Sequence, residues 1–365
     1  MKSFKILGLI LALGLITQSI NAQSNIASDA DLKEQVKEYS ELISRNPKDF
    51  DSYFLRGLSY RALKQYDNAI KDFTKLLEAG YLRPLEVLAE RAKTYREYGQ
   101  TKLAETDEKY AAAMKVYHAS FDAKSSEEKL TYLNKAIAIY PEYYVQIYID
   151  RGNLHQKMKN YDLAVADFTK SIQVISQDFP QWNGLSNIYR SRADSYRMQK
   201  KFDLANNDYT KTIGINPKDD RAYLNRGLSY AAQNKFDLAI NDYTNAIGLG
   251  SKGQSAFFAY DNRGHAYLNQ KKFDLAVADF TSAIAFGGGS DQKLGSAAAH
   301  LYLDRASAYR FLEKIDLALI EVNKVIAIKP SEVVAYELRA EVYRKIGNTA
   351  AAAADEKKAA ELSGK

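Results

Sequence analysis

Eight arginines and eight acids recur along this chain at one fixed separation. Arg56, Arg91, Arg151, Arg192, Arg226, Arg263, Arg305 and Arg339 are followed sixteen residues later by Asp72, Asp107, Asp167, Asp208, Asp242, Asp279, Glu321 and Asp355. A row of guanidinium groups beside a row of carboxylates has two chemical uses: it grips a charged ligand, or it pairs with itself. Equal numbers of both signs at matched spacing argue for structural ion pairs, with Arg226–Asp242 and Arg263–Asp279 as the type cases. Such pairs fix alignment more than they add stability, because desolvation offsets much of the Coulomb gain.

Other reactive residues form no catalytic pattern. His118, His155, His265 and His300 are scattered, without a His-Glu-x-x-His run and without carboxylate partners at ligand spacing, so no metal site is expected. Gly248-Leu-Gly-Ser-Lys-Gly253 has the glycine spacing of a dinucleotide-binding turn. That motif needs a strand before it and a helix after it, whereas here helical runs flank it on both sides, so it reads as an ordinary loop. The serines lie in no Gly-x-Ser-x-Gly elbow, and the paired acids follow the same period as the arginines. The chain holds no cysteine, which excludes disulfides, thiolate catalysis and zinc–thiolate sites. No enzyme and no cofactor is expected.

The elements that position the charges are clearest between Ala222 and Ile247. Tyr223, Gly227 and Tyr230, then Phe236, Ala239, Ile240, Tyr243 and Ala246, are apolar or small at three- and four-residue spacing, on either side of a polar Gln233-Asn-Lys235. Two such runs read as an antiparallel helical hairpin. Asp237 stands where its carboxylate is expected to accept the free amides of the second helix start. Pairing about Asn234 brings Gly227 near Ala239 and places Arg226 and Asp242 level, each eight residues from the turn.

The position of Gly227 recurs as Gly57, Ala92, Gly152, Ala193, Gly264, Ala306 and Ala340, eight copies in all. Four residues before it stands an aromatic in every copy but that of Leu88; three after it stands tyrosine in every copy but that of His155; twelve after it stands alanine without exception. These columns resemble the tetratricopeptide repeat, a helix-turn-helix unit of 34 residues. The resemblance implies an all-α fold, a right-handed α-solenoid of stacked hairpins.

Taken in order, residues 1–22 have the form of a secretory signal peptide, with Lys2 and Lys5 before an apolar run from Ile6 to Ile16 and a small residue at Ala22. The run is short for a membrane span, so export without a remaining anchor is expected. Residues 23–48 read as a linker and a capping helix whose Val36, Tyr39, Leu42 and Ile43 cover the end of the stack. Two repeats follow over 49–118, an extra half-repeat helix over 119–143, and six repeats over 144–365. In the extra segment Ser125 and Glu128 stand at capping-box spacing, and their helix is expected to pair with a continuation of the preceding one. Smaller insertions precede the copies of Ala193, Gly264 and Ala306, and the first holds Trp182, the single tryptophan. The formal net charge is +6, or +4 without Lys2 and Lys5, with no basic run of the kind that binds nucleic acid.

Recognition should use first-helix side chains free of the repeating columns. Positions three and two before the glycine place, and one and five after it, lie on one helical face. The resemblance implies that this face lines a concave groove. It carries Arg190, Asp194, Asn225, Asp261, Asn262, His265, Asn269, Asp304 and Glu337. One subgroup of the family grips the carboxylate terminus of heat-shock chaperones, but Asp194 would repel a carboxylate and Phe258 stands where a cation is required. The expected function is a non-enzymatic scaffold binding a protein or peptide segment in the bacterial envelope. The alternative is an envelope assembly factor or glycan-associated structural protein acting through the inter-repeat loop edge, around Trp182 and 287–295.

Overall fold

The computed structural model describes residues 28–141, 145–178, 182, 184–250, 254–286 and 296–364. The expected signal segment and the 287–295 loop lie outside the described residues. Eighteen α-helices are described, and the chain divides into two compact units, Met1–Ile147 and Tyr148–Lys365.

In the first unit, α1 (Asp29–Arg45) opens with a capping box between Ser28 and Asp31. It buries Leu32 and Ile43, while Val36 and Tyr39 are half-buried. Leu42, expected to help cover the stack, is exposed; Leu32, ten residues earlier, takes that part. Two hairpins follow, α2 (Phe50–Ala62) with α3 (Tyr66–Glu78) and α4 (Pro84–Glu97) with α5 (Thr101–Ala119). As expected, α5 runs on past the length of α3 and packs against α6 (Ser126–Ile139). Ser125 caps α6 by accepting the Glu128 amide at 3.1 Å. The Glu128 carboxylate accepts from Lys124 N, one residue before the partner that a capping box requires.

The second unit begins within α7 (Val145–Lys157), which precedes α8 (Tyr161–Asp178). The hairpins α9 (Leu185–Met198) with α10 (Phe202–Ile215), α11 (Asp220–Ala232) with α12 (Phe236–Leu249) and α13 (Gln254–Asn269) with α14 (Phe273–Phe286) follow. The last two are α15 (Ser296–Phe311) with α16 (Ile315–Ile328) and α17 (Val333–Lys345) with α18 (Thr349–Ser363).

Every hairpin closes at one shared point, and those with glycine at the glycine place close at a second. The alanine in the second helix is fully buried at Ala69, Ala104, Ala164, Ala205, Ala239, Ala276 and Ala318, and Ala352 is 3% exposed. The glycine place then receives an aromatic ring: a Cβ built on Gly227 would lie 2.6 Å from Tyr243, and one on Gly264 would lie 2.7 Å from Phe280. Where the chain carries Ala306 instead, the facing residue is the smaller Val322. The turn between helices holds one residue at positive φ, seven after the glycine place: Lys64, Gly99, Lys159, Lys200, Asn234, Lys271, Glu313 and Gly347. Asp237 does not cap α12. Lys235 is the cap residue, with no side-chain bond, and Asp237 accepts instead from Gln270 Nε2 of the next repeat at 2.9 Å.

Candidate functional site

The repeating charges meet as the spacing requires. Arg226 donates through Nε and Nη2 to the two carboxylate oxygens of Asp242, each at 2.8 Å, and the Arg263–Asp279 pair has the same two distances. The Arg56, Arg91, Arg151, Arg192 and Arg339 pairs are bidentate in the same way. Arg305 differs only in placing both nitrogens on one oxygen of Glu321. The acids are buried, with Asp242 2% exposed against 15% for its arginine. Each guanidinium also lies near tyrosine rings of its own helix; that of Arg226 is 5.7 Å from the Tyr223 ring and 5.9 Å from that of Tyr230.

A third arginine nitrogen reaches the preceding repeat, which the charge pattern alone does not reveal. Nη1 of Arg91, Arg192, Arg226, Arg263 and Arg305 donates to the hydroxyl of Thr74, Thr169, Thr210, Thr244 and Thr281 at 2.8–2.9 Å. Ser40 of α1 serves Arg56 and Asn323 serves Arg339, so α1 takes the part of a second helix. Each of these seven arginines thereby fixes its own hairpin and docks it on the helix before. The signal was present in the sequence as a threonine column two residues after the acid.

The nine face residues separate into three groups. Asp194 accepts from Tyr209 Oη at 2.5 Å and from Asn225 Nδ2 at 2.8 Å, linking α9 to α10 and α11. Burial pushes the Asp194 carboxyl above its ordinary range, against the opposing effect of Tyr209, Arg197, Arg190 and Asn225. Arg190 Nε lies 3.1 Å from Asp219, the buried N-cap of α11. These three side chains are therefore engaged between repeats rather than free for a ligand, and Asn225 is part of the packing, contrary to the expectation that it stands outside it. Asn262, Asn269 and Glu337 form the outward group. Glu337 is exposed, and the two asparagine amides return only to the carbonyls of Phe258 and His265 in their own helix.

Asp261, His265 and Asp304 form the third group, and His300 joins them. The sequence reading of scattered histidines without acid partners fails here, since Asp261 and His265 are one helical turn apart on α13 and His300 and Asp304 one turn apart on α15. His265 Nε2 stands 3.5 Å from Asp261 Oδ1 and 3.4 Å from Asp304 Oδ2, and His300 Nε2 stands 3.2 Å from the same Asp304 oxygen. Burial disfavours the charged imidazole of His265, but the adjacent Asp261 and Asp304 carboxylates outweigh it and raise the pKa from 6.5 to about 10. The His265 ring packs edge-on to Phe280 at 5.3 Å, which fixes its orientation from behind.

Of the loop residues, Trp182 is described: it is 45% exposed, and its ring lies over Gly184, where a Cβ would fall 2.2 Å from it. Glu356, standing where most other second helices place Phe or Tyr, pairs with Arg344.

Three tetratricopeptide repeat family models match the chain, over residues 143–218, over 190–253, and over 50–79 with 259–286. The chain is a tetratricopeptide repeat protein. The human tetratricopeptide repeat protein 16 is 25% identical over 153 residues, which are 42% of this chain and 16% of that protein's length. A crystal structure of a tetratricopeptide repeat protein from Parabacteroides merdae is 19% identical with a TM-score of 0.48, covering 70% of this chain and 93% of that one. The crystal structure of MamA is 24% identical with a TM-score of 0.45, covering 50% of this chain and 93% of that one.

Within these tetratricopeptide repeats the ladder accounts for the charges that recur, and the first-helix face of α9–α17 holds those that do not. A protein–protein interaction scaffold is the class of function that the family supports. Among the described residues no helix is long and apolar enough to cross a membrane.

Proposed function

We propose that this chain is an exported, non-enzymatic scaffold that holds a segment of a partner protein against the first-helix face of α9–α17. The observation that carries this reading is the contrast within single helices. Arg226, Arg263 and Arg305 repeat one geometry, while the face roughly 145° around the helix, at 100° per residue, changes chemistry in each repeat. A surface that only needs solvation has no reason to place Asn262 one turn from Phe258, a large apolar residue left 41% exposed. Exposed aromatics rimmed by amides are the usual anchors of a bound segment. The Lys2, Lys5 and Ile6–Ile16 pattern supports export, and the proposed partner is accordingly a protein of the bacterial envelope.

The test is affinity capture from a native envelope fraction by the purified chain and by Asn262→Ala, Asn269→Ala and Glu337→Ala variants. Each truncation of a contacting polar side chain is expected to weaken capture of one protein by about 1–2 kcal/mol, with folding little changed because none of the three is buried. Capture indifferent to all three contradicts this reading. Intact mass of the exported protein is expected to show a chain beginning near Gln23, and a retained Met1 contradicts export with cleavage.

A further inference from the structure

We propose that Asp261, His265, His300 and Asp304 form a binding site for a divalent first-row transition metal ion of the zinc class, stapling α13 to α15. Their ligand atoms, one from each side chain, all lie within 4.8 Å of one another. The three contacts measured from the imidazole nitrogens are 3.2, 3.4 and 3.5 Å. A charge-assisted nitrogen–oxygen hydrogen bond closes to about 2.7–2.9 Å, so these contacts are too long for one. They match the edge of a tetrahedron, about 3.4 Å when the metal–ligand bonds are about 2.1 Å.

A second observation points the same way. Asp261 Oδ1 and Asp304 Oδ2 are buried and accept no hydrogen bond among the described residues, although both face His265 Nε2. Buried carboxylate oxygens are nearly always paired or bound to a metal. One N–H has one direction and cannot point at two separate acceptors at once, whereas one cation serves both. Two carboxylates cancel the charge of a dication, and two imidazoles with two carboxylates, without thiolate, suit zinc, cobalt or nickel rather than calcium or magnesium.

The helices deliver these ligands by pattern. Asp261-x-x-x-His265 and His300-x-x-x-Asp304 each put two ligands on one face, one turn apart. His300 is 60% exposed, which gives the ion its path in and leaves that ring free to turn and shorten the longer edges. Four protein ligands close the coordination sphere, as in structural rather than catalytic sites. The staple crosses the face of the scaffold and uses three residues otherwise available to a partner, so metal loading would set the spacing of two repeats there.

The test is calorimetric titration of the full, tag-free chain with zinc chloride, with cobalt absorption as a spectroscopic check. One equivalent is expected to bind, with the intense visible bands of four-coordinate cobalt and a rise in Tm that EDTA reverses. His265→Ala is expected to weaken binding more than about a hundredfold, since loss of an outer-shell partner alone costs 10–100-fold. His300→Ala removes an exposed ring and cannot unfold the core, and it should lose the cobalt bands. Asp304→Asn keeps the shape and should also weaken binding. Absence of zinc binding, or binding of several equivalents indifferent to His300→Ala and Asp304→Asn, overturns the site and leaves a protonated His265 held between two acids.

Discussion

The two sides of the first helices obey different rules. On the ladder side, Arg56 in the first unit and Arg339 near the end of the second make the same forked contact with an acid sixteen residues on. On the other side, α9 offers an aspartate tied to Tyr209 and Asn225, α13 an aspartate and a histidine, and α17 a solvent-facing glutamate. Repetition is what stacking requires, because each hairpin must present to the next the surface it received from the last. A position released from that requirement is where a repeat protein acquires individual chemistry. The difference between the sides therefore sorts packing from recognition without any ligand in view.

Breaking one rung gives the largest effect. Arg226→Ala leaves Asp242 buried without its partner and is expected to lower stability by about 3 kcal/mol, read as a shift of the urea midpoint. Arg263→Ala should cost about the same, because the rungs are alike. A loss below about 0.5 kcal/mol, the range of an exposed pair, contradicts the assignment.

A second test sets two tyrosines of one column against each other. Tyr209 Oη donates to Asp194, whereas the buried Tyr243 Oη meets no partner among the described residues. Tyr209→Phe is expected to cost about 1–2 kcal/mol, and Tyr243→Phe to be neutral or stabilising. Equal effects at both would show that the Asp194 network adds nothing to the column that carries it.

The same network has a pH signature. Burial raises the Asp194 pKa above its ordinary 3.8, so the folded state holds that proton more tightly than the unfolded chain. The stability it contributes is complete below 3.8 and is lost as pH rises through the folded value. Asp194→Asn should therefore gain on the wild type between acidic and neutral pH, in paired urea titrations. An unchanged difference contradicts a buried, charged Asp194.

Most of the fold was legible because the contacts that build it recur at constant offsets. Arg226, Asp242, Gly227 and Ala239 meet in one hairpin, so their sequence spacing is their geometry. The metal-type cluster was hidden for a physical reason. Its members come from two helices that only stacking brings together, Asp261 and His265 from α13 and His300 and Asp304 from α15, and no spacing within one helix reveals that meeting. Asp194 and Asn225 looked free because their partners lie in neighbouring elements at offsets that occur once. Asp237 misled because an acid before an apolar run is a common cap, yet the turn places Lys235 at that point and leaves Asp237 to Gln270.

The smallest effect belongs to the turn, which lies on neither side. Lys200 sits at φ +59°, a conformation that costs a residue with Cβ about 1–2 kcal/mol, part of which glycine gives back as chain entropy. Lys200→Gly is expected to stabilise by about 0.5 kcal/mol, measured by thermal unfolding. A loss of stability would mean that its side chain makes contacts the turn geometry does not imply.

The central claim, that recognition lies on the side that does not repeat, is tested most directly by site-specific photocross-linking. A photoreactive side chain is placed at Asn262 on the first-helix face and, in a matched protein, at Asn241, exposed on the second helix of the preceding repeat. Both are irradiated in cells that express the full chain. The account predicts an adduct of one discrete protein from position 262 and none from position 241; adducts from 241 alone would contradict it.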